Sequence, residues 1–224
     1  MTPLLRLLLV LHITAGTTAL LVGLVPMLGR KGGRAHARLG RVYVACMVGV
    51  ALSAALLCLL QPFSTGRLFL GCLAVFSFYL AFSGWRSART HGFAAADRLL
   101  AFVTLAVGLA MIGAGLRLGH VLFVFFGAVT CTFAGRDLLP AKPPTTPVPW
   151  LFRHITRMGG SYISAFTAFV VVNMGRFLPP QAPGWLHLVG WIAPSVIGGV
   201  LIGRAVRHYR SRYAGRNVKT LTAA

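Results

Sequence analysis

Seven histidines, at positions 12, 36, 91, 120, 154, 187 and 208, are the residues of this chain best suited to chemistry. Imidazole ligates metal ions and holds haem iron axially. The apolar runs around these residues sort them by depth. A helix needs about 20 apolar residues to cross a bilayer core, which puts His12 about one turn inside the edge of the first run. His120 opens the fifth run and His187 the seventh, so these three belong near one face. His36 and His154 stand just before the second and sixth runs, at the other face. His91 and His208 read as solvated loop residues. Histidines from different helices at one depth could bind a b-type haem, or an ion such as copper or zinc. A site at each face would have the layout for moving electrons across a membrane. The plainer alternative leaves the ring tips in water or headgroups at the two interfaces.

The rest of the chemical inventory is sparse. There are 2 Asp+Glu against 22 Lys+Arg, a formal charge of +20. Asp97 and Asp137 both border basic segments, near Arg98 and Arg136, and no acidic residue lies inside an apolar run. Proton-coupled transporters place carboxylates within the bundle, so that class loses its usual relay. A glycosidase-like carboxylate pair, a phosphate-binding glycine loop and a serine nucleophile elbow are all missing. A zinc hydrolase would lack its general base at membrane depth. No catalytic residue can be named. Cys46, Cys58, Cys72 and Cys131 lie in apolar runs without CxxC spacing and read as small packing residues. Cys58 and Cys72 flank one short loop and could pair.

These residues must be positioned by membrane-spanning helices. Of the 224 residues, 57% are hydrophobic and 11% charged, whereas soluble domains carry about 25% charged residues. Seven apolar runs follow: Pro3 to Gly29, Arg41 to Leu60, Leu68 to Trp85, Leu99 to Leu116, His120 to Gly135, Met158 to Phe177 and Trp185 to Gly203. The expected fold is an all-α, polytopic transmembrane bundle of seven spans. Residues 1–204 form one domain, and 205–224 a basic tail. Eighteen of the 22 basic residues fall on one set of loops and the tail; Arg6, Arg67, Arg117 and Arg176 fall on the other. Basic loops stay cytoplasmic, which places the N-terminus outside and the C-terminus inside. The expected location is a bacterial cytoplasmic (inner) membrane.

The alternation of charge with apolar runs argues against nucleic acid as a partner. The expected contacts are anionic headgroups at the basic loops and tail, and a second copy or another membrane protein is a further candidate. The loop 139–150, with Pro140, Pro143, Pro144, Pro147 and Pro149, reads as extended and semi-rigid. Small residues at helix-packing spacing, Ala19 with Gly23, Ala51 with Ala55 and Gly199 with Gly203, mark packing seams. Polar stripes on the first helix (Thr14, Thr17, Thr18) and the sixth (Ser161, Tyr162, Ser164, Thr167) would enclose a small polar cavity if they faced each other.

Two segments resemble a known family. His36-Ala37-Arg38-Leu39-Gly40-Arg41-Val42-Tyr43 opens the second span, and Arg153-His154-Ile155-Thr156-Arg157-Met158 with Ser161-Tyr162 opens the sixth. Together they resemble a bacterial family of multi-span membrane proteins described only as a domain of unknown function. The resemblance implies a topology, no activity, and special roles for His36, Gly40, Arg41, Tyr43, His154, Met158, Ser161 and Tyr162. Arg157 stands where that family carries a bulky residue.

Three functions compete. The first is a redox or metal-binding protein, with haem b the leading cofactor, using His36 and His154 at one face and two of His12, His120 and His187 at the other. The second is binding or transport of a small polar, anionic or lipid-like ligand, lined by Arg41, Tyr43, Arg157, Tyr162, Thr17 and Asn173. The third is a non-enzymatic assembly subunit.

Overall fold

The computed structural model describes residues 2–139, 148–179 and 181–221. They form seven helices: α1 (Pro3–Leu28), α2 (Arg34–Leu60), α3 (Thr65–Thr90), α4 (Ala95–Leu118), α5 (Val121–Leu138), α6 (Pro149–Phe177) and α7 (Gly184–Leu221). All seven are long and apolar enough to cross a membrane. Large apolar side chains such as Leu7, Leu21, Leu52, Leu59, Phe102, Val172 and Ile197 lie exposed on the outside of the bundle. Such a coat is stable against lipid and not against water.

Local chemistry sets the helix ends. Thr2 caps α1 by accepting from the Leu5 N–H, and Ser64 caps α3 by accepting from the Arg67 N–H. Pro149 occupies the first turn of α6, where its missing N–H costs nothing. His91 closes α3 at φ 53°, a left-handed conformation uncommon for any residue but glycine. It is exposed, yet its ring stacks on Trp150 at 4.3 Å, so it is not simply solvated.

Three helices depart most from the expected runs. α2 begins at Arg34, not Arg41; α6 begins at Pro149, not Met158; α7 continues past Gly203 to Leu221. Polar side chains lowered the hydropathy at these ends, but hydropathy reports lipid contact and not helicity. His36 and His154 are therefore helical residues, in the first turn of α2 and the second turn of α6, not loop residues ahead of them. The basic segment after Gly203 continues α7 without a break. Of the proline-rich stretch, Pro140, Pro143, Pro144 and Pro147 lie outside the described residues, as does Pro180.

α3 and α6 pack together at the centre. The α1–α2 hairpin lies on one side, the α4–α5 hairpin on the other, and α7 packs against α6. Close approach depends on glycine. A Cβ at Gly127 would stand 2.8 Å from the Gly108 carbonyl oxygen, so α4 and α5 nearly touch backbone to backbone. The expected seam at Ala19 and Gly23 is buried. Ala55 and Gly199 are exposed instead, and α7 meets α6 through Gly198, which faces Ile163.

The first turns of α2, α4 and α6 and the last turns of α1, α3 and α5 share one end of the bundle, called here the basic end. His36 meets His154 there, and Asp137 meets Arg153.

Candidate functional site

The two segments singled out in the sequence converge at the basic end. The rings of His36 on α2 and His154 on α6 lie 6.1 Å apart, edge to face at 63°. His154 Nδ1 stands 2.9 Å from the Gly84 carbonyl of α3. A carbonyl only accepts, so Nδ1 carries the proton and Nε2 keeps its lone pair. Gly84 makes this possible: a Cβ there would sit 2.9 Å from Arg157 Cβ and 3.0 Å from the Met158 backbone nitrogen. His36 Nδ1 is buried without a hydrogen-bond partner among the described residues.

Below the pair, toward the centre of the bundle, lies a polar thread. Tyr43 OH meets Ser161 Oγ at 2.8 Å, and both residues are buried. Ser161 in turn approaches the Ser77 carbonyl at 3.5 Å, and the Ser77 hydroxyl meets Ser164 at 2.6 Å. Tyr162 donates to the Leu20 carbonyl of α1 at 3.1 Å. Gly23 lets both tyrosines pass, since a Cβ there would stand 2.9 Å from each ring. Met158 and Trp85 pack around this group.

Beside it, both acidic residues of the chain are spent on ion pairs. Arg86 grips Asp97 with two bonds, Nε to Oδ1 at 2.6 Å and Nη2 to Oδ2 at 3.0 Å. Asp97 also accepts from the Ala94 N–H at 2.8 Å, which caps α4. Asp137 takes Arg153 and Arg157, each at 2.8 Å, and the Tyr79 hydroxyl. The sequence neighbours Arg98 and Arg136 are not the partners. Arg153 and Arg157, counted as loop charges, instead sit on α6 and point inward. Arg157 is 4% exposed. In the α1–α2 loop, Lys31 donates to the Pro26 carbonyl at 2.8 Å and to Met27, capping α1. Partial desolvation lowers its pKa below the usual lysine range.

No protein-family model matches this chain, and neither does a curated protein or a solved structure. Its function rests on the geometry alone.

The other candidate residues are scattered. His12 does not join His120 and His187. It hydrogen-bonds Ser53 of α2 at 3.0 Å, and the Ser53 hydroxyl also reaches the Gly49 carbonyl at 2.7 Å. His120 and His187 do line one cleft of about 470 Å³ at the opposite end, with Phe69, Phe123 and Trp191. Arg41 and Thr17 are exposed, as is Thr14, while Thr18 is half-buried. The α1–α6 approach is made by Gly23 and the Leu20 carbonyl. Asn173 bonds to its own helix at Phe169 and accepts from Arg176 at 3.1 Å. All four cysteines are free; Cys58 Sγ lies 3.3 Å from the Arg67 carbonyl. Sequence reasoning missed Gly84, Tyr79, Asp137 and Arg153 as parts of this region. Only the rarity of acidic residues could have marked Asp137.

Proposed function

We propose that this integral membrane protein holds a redox-active metal between His36 and His154, with haem b iron the leading candidate. The observation that carries the reading is the pairing itself: a ring fixed by donation to a backbone carbonyl, facing a second ring with an unpartnered buried nitrogen. Metal-ligating histidines are commonly oriented by such a donation from the other ring nitrogen. An ion held about 2.0–2.1 Å from two imidazole nitrogens places the ring centroids roughly 5–6.5 Å apart. The observed 6.1 Å lies in that range.

Among the described residues no group of three or more His, Cys, Asp or Glu could hold a metal ion. Two imidazoles alone suit a centre whose other ligands come from elsewhere. Haem iron is such a centre, because the porphyrin supplies four nitrogens. Copper(I), which accepts few and soft donors, suits the pair next best. When bound, either metal supplies one-electron chemistry. The protein's part is to orient His154 through the Gly84 carbonyl.

Of the three outer candidates, His12 is committed to Ser53, while His120 and His187 share the cleft at the opposite end. The proposal is confined to one redox site at the basic end. By the excess of Lys and Arg on that end, it faces the cytoplasm, with the N-terminus outside. The bacterial inner membrane is the proposed location. Titration of haem and of copper(I) into the detergent-purified protein tests the site. Binding that survives His12→Ala and is lost in His36→Ala and His154→Ala supports it; binding indifferent to all three refutes it.

A further inference from the structure

We infer that the Arg153–Arg157 face of α6 is a binding site for an oxyanion of the phosphate class. Charge is the first reason. Asp137 is shared by two arginines, and the neighbouring Arg86–Asp97 pair is already balanced. One positive charge is left over in a region where Asp137 is 9% exposed and the Arg157 side chain 5%. A charge held at low dielectric calls for a counter-charge close by.

Hydrogen bonding is the second reason, and it is independent of the count. Arg157 Nη2 is spent on Asp137 Oδ1 and on the Phe133 carbonyl, both at 2.8 Å. Its guanidinium lies 4.8 Å from the Tyr79 ring centre and 5.0 Å from that of Phe133, so it cannot swing out to water. Its Nη1 is buried without an acceptor among the described residues, and so is Arg153 Nε. Buried donors of this kind are normally satisfied. Guanidinium groups match the oxygens of phosphate in geometry as well as charge.

Access is the third. The Arg153 side chain is 23% exposed and packs over the Phe93 ring at 4.4 Å. Arg153 therefore presents the pair to the basic end, with Arg157 buried one turn behind it. The site lies at the end of a membrane helix, where the phosphate can belong to a lipid headgroup or be free in solution. The site is separate from the His36–His154 pair and needs no metal there.

The test uses the full chain in nanodiscs of phosphatidylcholine, with inorganic phosphate added, and in parallel nanodiscs containing phosphatidylglycerol. The readout is the shift in thermal midpoint caused by the anion, which follows its affinity. The shift, unlike the midpoint itself, is insensitive to a change in baseline stability. Wild type should be stabilised by at least one of the two anions. Arg153→Gln, at the exposed member, and Arg157→Lys, which keeps charge but loses the planar fork, should each weaken apparent affinity about tenfold. Stabilisation by free phosphate in phosphatidylcholine assigns a soluble anion; stabilisation only by phosphatidylglycerol assigns the headgroup. No shift with either anion, or a shift that both variants retain in full, overturns the site.

Discussion

His154 donates through Nδ1 to the carbonyl of Gly84 at 2.9 Å, and that one bond ties the orientation of an imidazole on α6 to the backbone of α3. The tie holds only because α3 has no side chain at that point. The histidine's chemistry thus depends on a glycine one helix away.

Gly84→Ala follows directly. The new Cβ would need the space of Arg157 Cβ, Met158 Cγ and the Met158 nitrogen, all at 2.9–3.0 Å. Two of these belong to the α6 backbone or its first side-chain atom and cannot turn aside. Forced overpacking costs about 1–3 kcal/mol. Loss of the orienting bond should lower affinity for the bound metal roughly 10–100-fold. A thermal melt paired with metal quantification checks both; unchanged metal content in a destabilised protein would separate Gly84 from the site.

Asp97→Asn removes the charge that answers Arg86 on two bonds and caps α4 at Ala94. Breaking a buried ion pair by removing one partner costs about 3–5 kcal/mol. Arg86 is partly exposed, so the loss belongs at the lower end. Replacing Arg98, the sequence neighbour that faces outward, should change stability by less than about 0.5 kcal/mol. Denaturation of the two variants side by side measures the contrast, and equal losses would contradict the pairing.

The fold was legible where hydropathy and membrane thickness act together. Seven runs of about 20 apolar residues can do little else than span, and all seven appear as helices. The ends were not legible. Arg153, His154 and Arg157 have the composition of a loop, and only their partners on α3 and α5 show that α6 already runs through them. The basic residues after Gly203 gave no sign that α7 continues. The inner histidine pair was legible as two residues at one depth, because depth follows from counting. That His12 would leave the outer trio was not, because its partner Ser53 looked like an ordinary small residue. Asp137 was visible as a rarity, yet its ligation by two arginines depends on how α5 and α6 pack.

Gly23→Ala should open the polar thread below the histidines. Its Cβ would lie 2.9 Å from the rings of both Tyr43 and Tyr162. The rings can yield a little, so about 1–3 kcal/mol is expected. Tyr43→Phe removes only the bond to Ser161, leaving a buried hydroxyl that still reaches the Ser77 carbonyl. That change should cost about 0.6 kcal/mol, the usual size of an interhelical bond in a bilayer. Unfolding in mixed micelles ranks the two, and a larger loss for Tyr43→Phe would reverse the account.

His12→Ala, His120→Ala and His187→Ala serve as controls with a stated expectation. His12 loses one bond to Ser53, about 0.6 kcal/mol. His120 and His187 are exposed on the rim of the opposite cleft and should be near neutral. None should alter binding at the basic end. Metal content measured across all three variants decides whether the outer histidines take part.

The most direct test of the central claim is the absorption spectrum of the purified protein, expressed with ample haem, before and after dithionite. A haem-bound site should give a Soret band that shifts on reduction and disappears in both His36→Ala and His154→Ala. A flat visible spectrum together with no bound copper would contradict the claim, and would leave the His36–His154 contact as packing alone.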